Sequence, residues 1–144
     1  MRYELIAPAN LHSAWTDVLR GLKRILEKSP ERWLPEDVYA HIKIGLAKLY
    51  LAFDPHYRGF FIVEVKHDMF TNEKYLGVWC LYAEPQLGNR ADVAQFVPET
   101  IGYLDAMARA NECTRIQCEG RPGWSEYLKG YFRVSKVKYE RAIV

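Results

Sequence analysis

Cys80, Cys113 and Cys118 are the three thiols of the chain, and no two of them stand in a C-x-x-C pair. Cys113 and Cys118 lie in a stretch that reads as a strand, which places them on opposite faces and makes a bond between them geometrically poor. Reduced thiols fit a reducing compartment. His12, His41 and His56 show no spacing that would gather a metal. Gly123-Trp124-Ser125-Glu126-Tyr127 lacks the second glycine of a nucleophile elbow and does not follow its strand directly, which argues against a hydrolase. No Gly-x-x-x-x-Gly-Lys run is present to cradle a nucleotide phosphate. For proton transfer the candidates near the central strands are Glu64, His67 and Glu84. His67-Asp68 falls at a hairpin turn, where polar pairs are ordinary, and Glu84 is equally a plain strand-end carboxylate. The last segment leans basic, with Arg121, Lys129, Arg133, Lys136, Lys138 and Arg141 against Glu126 and Glu140. Interleaved with Tyr127, Tyr131 and Tyr139, it has the pattern of a nucleic-acid or protein contact face. The commoner origin of such a stretch is a solvated edge strand whose lysines discourage aggregation.

These side chains need a scaffold, and the composition supplies one. The 144 residues are 49% hydrophobic and 14% aromatic, enough to offset chain entropy with a core. One domain over 1–144 is the expectation. Basic residues number 20 against 18 acidic, and a net charge of +2 does not by itself indicate nucleic acid or an anionic membrane as partner. The uncharged stretch 75–83 is far short of the ~20 apolar residues that cross a bilayer. Met1-Arg2-Tyr3-Glu4-Leu5-Ile6 meets Pro8 without the apolar run of a signal peptide, so an intracellular location is expected.

The periodicity predicts a strand over 2–6, then a helix capped by Asn10 or Ser13 and closed by Pro30. Leu11, Trp15, Val18, Leu19, Leu22, Ile25 and Leu26 form its apolar stripe. A second helix starts with Pro35, carries Glu36 and Asp37 in its first turn and runs to Gly45. Three β-rich runs follow at 46–53, 59–67 and 75–82, linked by short polar segments that favour antiparallel hairpins. In the third run both alternation sets are apolar, so it is expected to be central and covered on both faces. A loop over 84–90 leads to a helix with Val93, Val97, Ile101, Leu104 and Ala108 on one stripe, in which Pro98 should kink or restart the helix. A strand around Ile116, a short helix over 123–130 and a closing strand over 133–144 complete the order β-α-α-β-β-β-α-β-α-β. This is an α/β (α+β) domain with helices covering a mixed sheet.

In this order, and over nearly its whole length, the chain resembles the GNAT acyltransferase superfamily. Phe96-Val97-Pro98-Glu99-Thr100-Ile101-Gly102-Tyr103-Leu104, continuing through Ala108 to Ile116, looks like that family's third helix and the strand after it. Gly120-Arg121-Pro122-Gly123-Trp124 followed by Tyr127-Leu128-Lys129-Gly130-Tyr131-Phe132 is similar to GNAT-like proteins of tailed bacteriophages.

The resemblance implies acetyl-CoA bound where the central sheet splays open, along Leu81 and Tyr82, with its pyrophosphate on backbone N–H groups at the start of the long helix. Gln86-Leu87-Gly88-Asn89-Arg90-Ala91 is the corresponding loop, which assigns Gln86, Gly88, Asn89, Arg90 and Ala91 to the cofactor. Its glycine stands one place early against the family signature, and Arg90 offers a compensating charge. Tyr127, five residues before Phe132, matches the tyrosine that returns a proton to the departing thiolate, although Tyr131 stands where the family has glycine. Glu84, at the end of the third run, is the candidate base for deprotonating an amine.

Two functions follow as expectations. One is transfer of an acetyl group from acetyl-CoA to a small-molecule or protein amine, in the cytoplasm of a bacterial host. The other is a non-catalytic GNAT-like bacteriophage protein, working as a virion or host-interaction component with a phage structural protein as partner. The enzyme requires the cleft between the third run and the Cys113 strand to be open. Tyr82, Trp79 or Tyr131 filling it would remove the site.

Overall fold

A computed structural model describes residues 1–29, 31–86, 91–120 and 124–143, with the side chains of Ala91 and Asp92 excepted. The elements are β1 (Arg2–Leu5), α1 (Leu11–Lys28), α2 (Pro35–Lys43), β2 (Lys48–Phe53), β3 (Tyr57–His67), β4 (Lys74–Ala83), α3 (Ala91–Ala110), β5 (Arg115–Cys118) and α4 (Ser125–Leu128). They form a five-stranded sheet in the order β1-β2-β3-β4-β5. The first three pairings are antiparallel, and β4 and β5 run parallel, joined by α3.

Helices cover both faces. On one, Leu11, Val18 and Leu22 of α1 and Val38 and Ile42 of α2 pack on Leu49, Leu51, Phe60 and Ile62. On the other, Leu104 and Ala108 of α3 meet Tyr50, Phe61 and Val63, while Phe96, Val97 and Ile101 meet Ala52. Leu11, Val18 and Leu22 are wholly buried, as the helical spacing of the stripe requires. Gly21 lets α1 lie close to the sheet, because a Cβ there would stand 2.5 Å from Phe60 Cε1 and 2.7 Å from Tyr82 Cδ1. Pro35 opens α2, and the Leu34 N–H donates to Asp37 Oδ2 at 2.8 Å, which satisfies one amide at the helix start.

A bulge in β4 organises the site. Ile62 pairs with Cys80, and the next β3 residue, Val63, pairs with Val78, so Trp79 has no counterpart. The extra residue changes which side chains face which layer. Leu76 and Val78 pack against α3, whereas Cys80 and Tyr82 pack beneath α1 and α2. Both alternation sets of this strand are apolar because a central, doubly covered strand changes parity midway.

Three expectations need correction. The closing strand over 133–144 does not form: 133–143 has no regular structure and is exposed throughout except at Phe132 before it. Its alternation of Val137, Tyr139 and Ile143 meets no sheet edge, and these residues are 61%, 90% and 93% exposed. Cys113 and Cys118 do not face opposite ways; both pack on the α3-side cluster, because Cys113 precedes β5 rather than belonging to it. Pro98 does not divide α3, which runs unbroken through it. Of the two expected caps of α1, Asn10 holds the N-cap position, without a side-chain hydrogen bond, and Ser13 lies inside the helix.

Candidate functional site

The β4–β5 ladder runs from Tyr75↔Arg115 to Val78↔Cys118 and stops there, at the bulge. β4 continues to Ala83 while β5 ends, so the edge of β4 over 79–83 has no neighbouring strand among the described residues. Its outward backbone groups are left to bind something else. The split opens a cavity of about 60 Å³, room for a few water-sized groups. Val78, Trp79, Cys80 and Leu81 of β4 form one wall, with Cys118, Glu119 and Gly120 opposite. Trp124, at the N-cap of α4, and Leu128 within it, which also pack on α3, close one side. Ile25, Ser29, Glu31 and Trp33, from the end of α1 and the link to α2, close the other.

Among the described residues no bulky side chain plugs this cleft. Tyr82 is 7% exposed and lies under α1 and α2, Tyr131 is 53% exposed, and Trp79 is part of the wall. Trp79 is held there edge-on by Trp33 at 6.0 Å and His41 at 5.2 Å between ring centroids. His41 is fixed in turn by its Nδ1 donating to the Asp37 carbonyl at 2.8 Å. Burial, with the charge of Glu31 added, pushes the Cys80 thiol far above its ordinary value, and burial with the charge of Glu119 raises that of Cys118. Neither thiol is a nucleophile in this state.

The expected site residues are distributed unevenly around the cleft. Leu81 lines it, and Tyr82 stands beside it in the strand with its ring turned to the α1 face. Tyr127 is 39% exposed on α4, its ring 6.0 Å from that of Trp124, and its neighbours Trp124 and Leu128 reach the cleft. Gly88, Asn89 and Arg90 lie outside the described residues, as does the side chain of Ala91, whose backbone begins α3. Gln86 donates to the Glu84 carbonyl at 3.2 Å.

Glu84 sits apart from the cleft. Its Oε1 accepts from Arg20 Nε at 3.0 Å, and Oε2 lies 3.6 Å from Arg24 Nη1, buried and without a hydrogen bond. Arg24 Nη1 also donates to the Tyr82 hydroxyl at 2.6 Å, and Arg20 to Asp17 at 2.8 Å. Burial first, and then the neighbouring carboxylate, push the Tyr82 hydroxyl up to about 12. The group clasps α1 to the end of β4. Glu64 is 3.9 Å from Lys66, and Asp68 caps the β3–β4 turn by accepting from the N–H groups of Phe70 and Thr71, so neither reaches the cleft.

Sequence reasoning did not single out Glu31, Glu119 or Trp33, and it met Trp124 only as part of the Gly120-to-Trp124 and Gly123-to-Tyr127 motifs. Their signal is topological: each becomes a wall only when the sheet splits. Among the described residues no group of three or more His, Cys, Asp or Glu is placed to hold a metal, and no helix is long and apolar enough to cross a membrane.

No protein-family model matches the sequence, and no curated protein does. Solved structures do. A probable acetyltransferase superposes with a TM-score of 0.67 at 13% identity, over 100% of this chain and 99% of that one. A ribosomal-protein-alanine N-acetyltransferase from Brucella melitensis biovar Abortus 2308 gives 0.68 at 12% identity, covering 99% and 98%. An aminoglycoside acetyltransferase from an uncultured soil metagenomic sample, in complex with sisomicin, gives 0.66 at 9% identity, covering 99% and 96%. At such identities it is the architecture that is shared. Helices on both faces, a mixed sheet and a split between its parallel strands give this chain the GNAT acetyltransferase fold.

Proposed function

We propose that the protein transfers an acetyl group from acetyl-CoA to an amine, with the cleft between β4 and β5 as the reaction site. The observation that carries this reading is the abrupt end of the β4–β5 ladder at Val78↔Cys118, beside the bulge, with an unfilled cavity beyond it. A slender amide-bearing arm fits along the edge of 79–83, which offers it the backbone hydrogen bonds of a missing strand and leaves the cavity to the reacting groups.

Leu81 and Tyr82 belong to that edge. Gln86, Gly88, Asn89, Arg90 and Ala91 lead from it into α3, whose first turn carries the amides and positive dipole end suited to a pyrophosphate. When bound, acetyl-CoA supplies the thioester: the acceptor nitrogen forms a C–N bond with its carbonyl carbon and the C–S bond breaks. Of two protons leaving the ammonium, one goes to a base or solvent and one to the departing sulfur. Tyr127, on the helix that closes the cleft, is the side chain we assign to returning that proton. We do not assign the base to Glu84, since Arg20 and Arg24 already engage its carboxylate and it lines a different recess.

The test is a melting curve of the purified protein with and without acetyl-CoA, followed by an amine screen read by mass. Cofactor at about 100 times its dissociation constant should add about 2.7 kcal/mol of stability. Tyr127→Phe should lower turnover roughly 10- to 100-fold with little change in cofactor affinity. No rise at millimolar acetyl-CoA would overturn the reading and leave the non-catalytic scaffold, whose partner, a phage structural protein included, would then be the question.

A further inference from the structure

The described lining of the cleft carries charge of one sign only. Among the described residues that line it, the ionisable groups are Glu31, Glu119 and two thiols, with no lysine, arginine or histidine, in a chain whose basic residues outnumber its acidic ones. The two carboxylates come from opposite walls: Glu31 from the link between α1 and α2, Glu119 from the residue after β5 ends. Ser29 Oγ donates to Glu31 at 3.1 Å and fixes one of them, while Glu119 has no hydrogen-bond or ion-pair partner among the described residues. Both fields reach the cleft floor, since Glu31 acts on the Cys80 thiol and Glu119 on that of Cys118.

Aromatic surface surrounds these charges. Trp33, Trp79 and Trp124 line the cleft, three of the chain's four tryptophans. Indole faces attract cations and repel anions, and the attraction grows when the cation is desolvated. An anion brought here would meet two carboxylates and, among the described residues of the lining, no counter-charge. The cavity's volume of about 60 Å³ admits a small head group and leaves the rest of a ligand outside.

We propose that the cleft selects a cationic amine as acceptor, held by Glu31 and Glu119 between the indoles of Trp33, Trp79 and Trp124, and rejects an amine that carries a carboxylate beside its nitrogen. The acceptor role rests on the acetyl-transfer reading above; the selection of charge does not. Amino acids with a free α-carboxylate are therefore excluded, and amines without an adjacent anion are accepted.

Three probes of one shape separate the outcomes: 2-phenylethylamine as cation, 2-phenylethanol as neutral isostere and phenylalanine as zwitterion. Each is titrated into the full chain without cofactor, following tryptophan fluorescence and heat. The amine should bind at least about tenfold more tightly than either other probe. Glu31→Gln and Glu119→Gln should each weaken it roughly three- to tenfold, as partly exposed charge pairs do. Because both carboxylates are exposed, both variants should keep the parent's melting temperature. Equal binding of the alcohol or of phenylalanine overturns the proposal, as does amine binding that ignores both substitutions. No amine binding at millimolar concentration, with the acetyl-CoA response intact, overturns it too and leaves the acetyl-transfer reading standing. Selective amine binding without any acetyl-CoA response supports the cation site and sinks acetyl transfer instead.

Discussion

Glu84 has two arginine neighbours and a buried oxygen, so its removal is felt across an interface rather than in a reaction step. Glu84→Gln keeps the shape and leaves Arg20 and Arg24 without their shared counter-charge. Because both guanidiniums are more than one-third exposed, solvent screens most of the loss, and a destabilisation of roughly 1 kcal/mol is expected by urea unfolding. A sharp change in the pH profile of turnover, with stability intact, would restore Glu84 as a base. Tyr82 gives a pH test in the same cluster. Its hydroxyl is raised from 10.0 to about 12, so the folded chain holds that proton more tightly than the unfolded one. The contribution is present in full below pH 10 and is lost as pH climbs towards 12. Between those values the urea midpoint of the parent should fall more steeply than that of Tyr82→Phe, and parallel slopes would contradict the assignment. Glu84 itself shows what sequence does and does not reveal. A carboxylate at the end of a strand is plain in the sequence, but the two arginines that engage it come from α1, some sixty positions earlier.

At the scale of elements, close approach of α1 to the sheet is bought by one hydrogen atom at Gly21. Gly21→Ala would drive a methyl group against Phe60 and Tyr82, and overpacking of this kind costs roughly 1–3 kcal/mol. The measurement is the melting temperature; an unchanged value would mean that α1 can shift outward without loss. Gly59 is fixed differently: its φ of +149° and a would-be Cβ 2.0 Å from the Tyr82 carbonyl oxygen leave no place for a side chain beside β4. The helices and central strands were legible because their periodicities are strong. The stripe of Leu11, Val18 and Leu22 and the runs in β2 to β4 each have one solution that buries them. The bulge at Trp79 was not, since two apolar sets in one strand fit either full burial or a change of parity, and pairing with β3 decides between them. The tail failed for the converse reason. Val137, Tyr139 and Ile143 alternate like a strand, yet alternation says which residues would share a face and not whether an edge exists to receive them.

For the whole molecule, the described tail is joined to the body through the exposed Arg32–Glu140 pair at 2.6 Å. Removing the chain beyond Arg133 should shift the melting temperature by less than about 2 °C, because exposed ion pairs contribute little. A larger fall would show that the tail packs on the sheet in solution. Acetyl transfer at the split, as proposed above, requires the edge of β4 past Val78 to bind the arm of an acyl thioester. Hydrogen–deuterium exchange reads that edge directly, by following the amides of 79–83 against those of 75–78, which are already paired with β5. With saturating acetyl-CoA, exchange over 79–83 should slow markedly while 75–78 stays as it was. Identical exchange over 79–83 with and without the cofactor would contradict the account.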